Sequence, residues 1–491
     1  MMTDLEKYFE PFRNNTIGRD QLFGTAYGDK KIIYADWIAS GRLYRPIEKK
    51  LVDQFGPYVG NTHTETSVTG TSMTRAYHYA HQYIKKHVNA DDNDAIITPG
   101  FGMTAAVNKF QRIIGLRIPE RFCSKLRLPE NKKPVVFITH MEHHSNQTSW
   151  LETIADVVVL FPDNKNLVDL NHLEAMLKKY RDRETKLGAF TACSNVTGVQ
   201  TPYHQMAKLM HKYDGCCFVD FAASAPYVKI DMHPGDPGER LDAVFFSPHK
   251  FLGGPGASGV LVFNSEFCLS NKIPDHPGGG TVDWTNPWGE HKYIDNVELR
   301  EDGGTPGFLQ AIKTALAIKL KQQMGIEKMM AREEQLVELA FDELTKIPNL
   351  EILAADIRDR LAVISFYSPL IHYNLMVKLL NDRFGVQLRG GCSCAGTYGH
   401  FLLNIDRETS QRITNRINQG DLSEKPGWVR MSLHPTMTDD EVYLITDGVR
   451  QILENVDDWQ KDYTYSAKTN EFYHKNYNGD DTNRVEQWFE L

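Results

Sequence analysis

Seven short apolar runs rich in β-formers recur between residues 91 and 264: "AIIT", "PVVFIT", "DVVVLF", "KLGAFTAC", "CCFVD", "LDAVFFS" and "GVLVF". Most are separated by amphipathic stretches long enough to form a helix. That alternation predicts an α/β domain built on a largely parallel sheet. Ligands of such sheets bind beyond the C-terminal ends of the strands, so the residues that follow each run are where chemistry is to be sought.

The rest of the chain is organised around this domain. An N-terminal segment spans 1–30, and the large α/β domain spans 31–307, opening with a helix over "SMTRAYHYAHQYIKKHV" and closing with a polar, Pro/Gly-rich stretch from 268. Two helical stretches from 308 to 347 open a smaller α+β domain, 308–464, which the N-terminal segment joins, and 465–491 reads as a surface tail rich in Asn, Asp, Tyr and Lys. The smaller domain carries a polar, partly helical insertion, 401–427, and a final helix from Thr438. With 491 residues and 41% hydrophobic side chains, the chain can bury a large core. No run of about 18 apolar residues occurs, and "MMTDLEKYFEPFRNN" lacks the features of a signal peptide, so a cytoplasmic protein with no membrane partner is expected. The 55 basic and 63 acidic residues provide no basic field for nucleic acid. Seven cysteines scattered through a chain of this length form no disulfide framework, and reduced thiols are expected.

The residues at the strand ends are chemically pointed. "AIIT" runs into "PGFGMTAAVNKF", where Gly100 and Gly102 let backbone N–H groups at a helix N-terminus face an anion, a phosphate cradle over Gly102, Met103 and Thr104. The same letters fit G-x-G-x-x-A, but the next strand ends in "THMEHH" and not in the acidic residue of a dinucleotide site. Taken alone, such a turn is more often without a ligand. "PVVFIT" runs into "HMEHHSN"; H-E-x-x-H is absent and adjacent histidines do not easily face one ion, so no metal site is expected. Asp220 closes the apolar run "CCFVD", where a carboxylate needs a cationic or hydrogen-bonding partner to stay ionised; an N-cap is the alternative reading. In "FSPHKFLGGPGASGVLV", Lys250 follows an apolar strand beside Ser247 and His249 and precedes a glycine turn. A lysine in such a setting has a depressed pKa and suits a Schiff base with a carbonyl cofactor; a lone lysine there would read as a snorkelling side chain.

In their order, these motifs resemble the class V aminotransferase and cysteine desulfurase superfamily, the fold-type I enzymes that use pyridoxal 5'-phosphate (PLP). The resemblance runs from "YADWIASG" near residue 34 to about residue 455. It implies that His143 of "EHHSN" stacks on the PLP ring, Asp220 pairs with the pyridine nitrogen and Lys250 forms the Schiff base. It implies that Ser247, His249 and Thr104 bind the phosphate, with Thr305 of "GGTPGF" reaching the same group from a neighbouring subunit of a homodimer, and that Asn195 of "SNVTG" lies near cofactor and substrate. Likeness is greatest to the desulfurase branch that includes selenocysteine lyases: "LRGGCSCAG" carries Cys394 five residues after Arg389, and "WVRMSL" supplies Arg430 to hold a substrate carboxylate. Ala223 stands where many relatives have a glutamine on the PLP phenolic oxygen, and the insertion and tail are further departures.

The function expected is conversion of L-cysteine to L-alanine, with sulfur passing to Cys394 as a persulfide and then to an acceptor protein. The alternatives are selenocysteine lysis, or a transaminase, epimerase or β-lyase acting on another amino acid. A sulfur or metal carrier using Cys392 and Cys394 is disfavoured, because C-x-C supplies half a zinc site and no second pair has ligand spacing.

Overall fold

The strands form where the apolar runs predict them. The computed structural model describes residues 3–491 except 124, 269–272, 478 and 480, and the backbone alone of 481–483; parts of the N-terminal segment, the 268–307 stretch and the tail thus lie outside the described residues. The chain divides into a large unit, Ala39–Ser194 with Gln200–Glu327, and a small unit, Met1–Ile38 with Asn195–Val199 and Lys328–Leu491.

The large unit is built on a seven-stranded sheet: β1 Asp94–Ile97, β2 Val135–Thr139, β3 Asp156–Leu160, β4 Lys186–Thr191, β5 Cys216–Asp220, β6 Ala243–Phe246 and β7 Val260–Asn264. Their order is β1-β7-β6-β5-β4-β2-β3, and all neighbouring pairs are parallel except the two that involve β7. Thr191 of β4 lies opposite Asp220 of β5, and Asp220 opposite Phe245 of β6, so the parallel strands end together and their following residues share one edge.

Helices cover the sheet, among them α1 Val68–His87, α2 Met103–Ile113, α3 His144–Leu151 and α4 Phe308–Met324. Ser67 caps α1 by accepting from Gly70 N–H. Phe110 of α2 is fully buried against Phe218 of β5 and Phe263 of β7, with ring centroids 4.9 and 5.3 Å away. Edge-to-face packing of this kind locks α2 over the centre of the sheet. Ile312 and Ala315 of α4 pack on Ala80 of α1, which is why 308–327 groups with this unit and not with the small domain suggested by sequence.

The small unit holds a four-stranded antiparallel sheet, β8 Glu351–Ile352, β9 Val363–Tyr367, β10 Arg389–Gly391 and β11 Trp428–Ser432, in the order β8-β9-β11-β10. The insertion forms a helix over Arg407–Asn418, and Thr438 begins helix Asp439–Glu454 with a reciprocal capping box to Glu441. Residues 1–38 group here: Ile33 and Tyr34 pair in parallel with Val386 and Gln387, and Asp36 bridges to Ser432. Part of the tail is ordered as a hairpin, Tyr463–Ser466 with Glu471–His474. Among the described residues, no helix is long and apolar enough to cross a membrane.

Candidate active site residues

Three strand-end loops of the large unit converge around the start of α2. Gly102 precedes this eleven-residue helix, and Met103 N–H donates to Ser247 Oγ at 2.8 Å, tying the helix N-terminus to the segment after β6. A Cβ on residue 102 would stand 3.1 Å from Ser247 Oγ and 3.6 Å from His249 Nε2, so glycine preserves the space bounded by these groups. Thr104 Oγ1 and Ser145 Oγ lie 2.7 Å apart and add two hydroxyls. A helix N-terminus, hydroxyls and an imidazole form a donor set suited to a phosphate monoester. Burial, reinforced by the charge of Lys250, holds His249 down to about 4, so at neutral pH its ring is uncharged.

Lys250 follows Ser247 in a single tight turn, Pro248–Lys250. The turn is clamped from outside: Gly41 N–H donates to His249 O at 2.9 Å and Gly253 N–H to Arg42 O at 2.7 Å. Gly253 takes φ +78°, and a Cβ on Gly254 would fall 1.8 Å from Pro248 O. The glycines after Lys250 are therefore steric requirements of the turn that presents it.

Asp220 ends β5 in full burial, and its Oδ1 accepts from Ala222 N–H at 2.8 Å. Burial pushes its carboxyl up to about 6, with Ala222 N–H and the charge of Lys250 pulling it back. Such a group is poised for one more cationic or N–H partner, which a pyridinium nitrogen would be. His143 caps α3 through Nδ1, which accepts from Ser145 N–H at 3.1 Å. Ala223 is buried beside Asp220, and Thr305 is exposed in the loop before α4. The residues present fit PLP, with a cradle for its phosphate and a buried carboxylate for its ring nitrogen.

Sequence reasoning passed over Glu142, which is buried at the end of β2. It accepts from Thr139 N–H and O–H, from Thr191 N–H and from Asn146 Nδ2, at 2.7 to 3.1 Å, stitching the ends of β2, β4 and α3 together. Burial pushes it up to about 7 against the pull of those donors.

In the small unit, a second group forms on the paired strands β10 and β11, where Arg389 and Arg430 are cross-strand neighbours. Asp36 lies between them: Oδ1 accepts from Arg430 Nη2 at 2.8 Å and Oδ2 from Arg389 Nε at 3.1 Å. Arg430 is buried, its Nη1 donates to Asn195 O at 3.2 Å, and its Nε has no partner among the described residues. Asn195 donates through Nδ2 to Ser393 O at 2.6 Å, and its own buried Oδ1 has no partner among the described residues. Two orphaned buried polar atoms, one donor and one acceptor, thus lie on Arg430 and Asn195, and a zwitterionic amino acid offers partners for both. Asp36 falls inside "YADWIASG", yet its role depends on residues hundreds of positions away.

Cys394 follows on the same loop. Ser393 and Cys394 have φ of +52° and +57°, and Ala395 N–H donates to Cys392 O at 3.0 Å, so Cys392–Ala395 is a turn with two non-glycine residues in the left-handed region. Such conformations cost about 1–2 kcal/mol each and are retained where neighbours hold them. Trp428 does so here by donating Nε1–H to Ser393 Oγ at 3.2 Å. Cys394 is exposed and Cys392 half-buried.

This architecture and these motifs belong to a known class. The aminotransferase class-V family model matches residues 33–445, and the chain belongs to that family of enzymes; its fold is the fold-type I architecture. Among curated relatives, it is 25% identical over 404 residues to the cysteine desulfurase of Haloferax volcanii, covering 79% of this chain and 89% of that protein. It is 28% identical over 373 residues to a probable cysteine desulfurase of Staphylococcus epidermidis, covering 75% and 84%. Among solved structures, the cysteine desulfurase of Thermococcus onnurineus superposes with a TM-score of 0.69 at 20% identity, covering 86% of this chain and 95% of that one. The cysteine desulfurase CsdA of Escherichia coli gives 0.69 at 21% identity, with 91% and 98% covered.

Proposed function

We propose that this protein is a PLP-dependent cysteine desulfurase acting as a homodimer in the cytoplasm, with a protein as the final sulfur acceptor. The observation that carries the reading is Cys394: an exposed thiol on a turn with left-handed backbone, three residues beyond β10, whose Arg389 lies opposite the buried Arg430. A transaminase has no use for a nucleophile there.

In this reading the start of α2 with Ser247, His249 and Thr104 holds the PLP phosphate, joined by Thr305 of the partner subunit. Asp220 holds the proton on the ring nitrogen, His143 packs on the ring face, and Lys250 is the covalent attachment point. Bound PLP supplies an electron sink for the pair left on the substrate α-carbon when its proton departs. Lys250 Nζ takes that proton. Arg430, with Arg389 and Asn195 beside it, binds the substrate α-carboxylate and so orients the α-carbon. The Cys394 thiolate attacks the substrate sulfur, the Cβ–S bond breaks, and the sulfur stays on Cys394 as a persulfide. Protonation of the remaining carbon skeleton releases alanine, so one cysteine and one enzyme thiol give one alanine and one enzyme persulfide.

Incubating PLP-loaded protein with L-cysteine and a dithiol reductant, then assaying sulfide and alanine together, tests this. Equal amounts of both are expected. A spectral response to cysteine with no sulfide would instead assign the chain to a class V reaction on another amino acid.

A further inference from the structure

Two guanidinium groups on a site for one carboxylate leave a charge to be explained. Arg389 and Arg430 are cross-strand partners on β10 and β11, and Asp36 accepts one hydrogen bond from each through separate oxygens. The strand that carries Asp36 is pinned in place: Ser432 N–H donates to Ala35 O at 2.8 Å, and Ile38 N–H donates to Ser432 Oγ at 2.9 Å. Asp36 is 8% and Arg430 3% exposed, whereas Arg389 is exposed. The charged side chains joined in this cluster are Arg389, Arg430 and Asp36, linked by two ion pairs. With Cys394 as a thiol, two cations and one anion leave a single net positive charge.

We propose that Asp36 sets the charge selectivity of the substrate site, cancelling one arginine so that the site matches an amino acid with one carboxylate and an uncharged side chain, and disfavours one whose side chain is a second anion. The inference rests on Arg430 as the carboxylate site. Both Asp36 carboxylate oxygens are engaged by the two arginines, which makes it a positioning residue that also sets the local charge. Removing its charge while keeping its shape leaves two uncompensated cations, which an amino acid with two carboxylates satisfies better than one with a single carboxylate. A purely structural Asp36 would have no such signature.

The test uses full-length PLP-loaded protein and an isosteric pair of ligands, L-asparagine and L-aspartate, with dissociation constants from calorimetry. Wild type is expected to favour asparagine. Asp36→Asn should shift the ratio toward aspartate by about tenfold or more, the size of effect one uncompensated charge has in a partly buried site. Asp36→Glu should keep the wild-type ratio. The double variant Asp36→Asn/Arg389→Gln, again with one net positive charge, should return to it. An unchanged ratio in Asp36→Asn, or a double variant that behaves like the single, overturns the proposal. Because the ratio is internal to each protein, a loss of stability that weakens both ligands alike does not mimic the expected result. If Arg430→Gln leaves both affinities at wild-type values, the carboxylate assignment itself falls, an outcome distinct from a failure of Asp36 alone.

Discussion

Cys392 and Cys394 are two residues apart, but their surroundings differ. Cys394 is exposed with a left-handed backbone, φ +57°, whereas Cys392 is half-buried. Cys394→Ser is therefore expected to abolish enzyme-bound persulfide, read by mass spectrometry, while the cofactor absorbance still responds to L-cysteine; Cys392→Ser should retain persulfide formation. Wild-type sulfide release from Cys394→Ser would remove the nucleophile from the proposed reaction. Glu142 allows a test by pH. Its carboxyl has an ordinary value of 4.5 and sits at about 7 in the fold, so the native state binds that proton more tightly than the unfolded chain. Stability should fall as pH rises from about 4.5 to 7, by on the order of 3 kcal/mol from this group. Denaturation of Glu142→Gln across that range should lack this component; parallel curves for the two proteins would contradict it. These residues also mark the limits of reading a sequence. Lys250 and Asp220 stand out in the sequence because one follows and the other closes an apolar strand, where a charge is conspicuous. Asp36 and Glu142 do not, because a carboxylate gains meaning only from its partners, and Arg430 lies 394 positions from Asp36.

The turn after β6 illustrates how elements constrain one another. Gly41 passes so close that a Cβ there would meet Phe251 O at 1.9 Å, a backbone atom that cannot yield without moving Lys250. Gly41→Ala should cost about 1–3 kcal/mol in thermal unfolding through overpacking, and should weaken PLP binding as the turn shifts. Unaltered stability and PLP affinity would show that the clamp is looser than its geometry. The central strands of the large unit were legible because burial on both faces makes β1, β2, β4, β6 and β7 near-continuous apolar runs. The hairpin Val282–Thr285 with His291–Tyr293 was not legible: its residues are mostly exposed and pair only with each other, so no alternating pattern marks them. The unit boundaries were hidden for a similar reason. Residues 31–38 and 195–199 join the small unit through pairings such as Ile33 with Val386, and long-range contacts of this kind leave no local trace.

A chain of 56.0 kDa whose Thr305 is exposed in a Gly/Pro loop is expected to run as a twofold dimer. Light scattering should give twice the chain mass, and Thr305→Ala should weaken PLP retention in the dimer; a fully active monomer would end the composite-site reading. The net charge of -8 is compatible with a soluble assembly and offers no attraction to polyanions. The order of the large sheet has a bearing on biosynthesis. β1 is an edge strand, and its one neighbour is β7, with Asp94 opposite Asn264. At 5–20 residues per second on the ribosome, β1 waits roughly 10–30 s for that neighbour. Until then "AII" is an unpaired apolar edge, and the loop at Gly102 lacks the Ser247 segment that shapes it. The proposed phosphate cradle is therefore among the last parts of the unit to be completed, and a nascent chain stalled before β7 would present a sticky strand and an unfinished cradle.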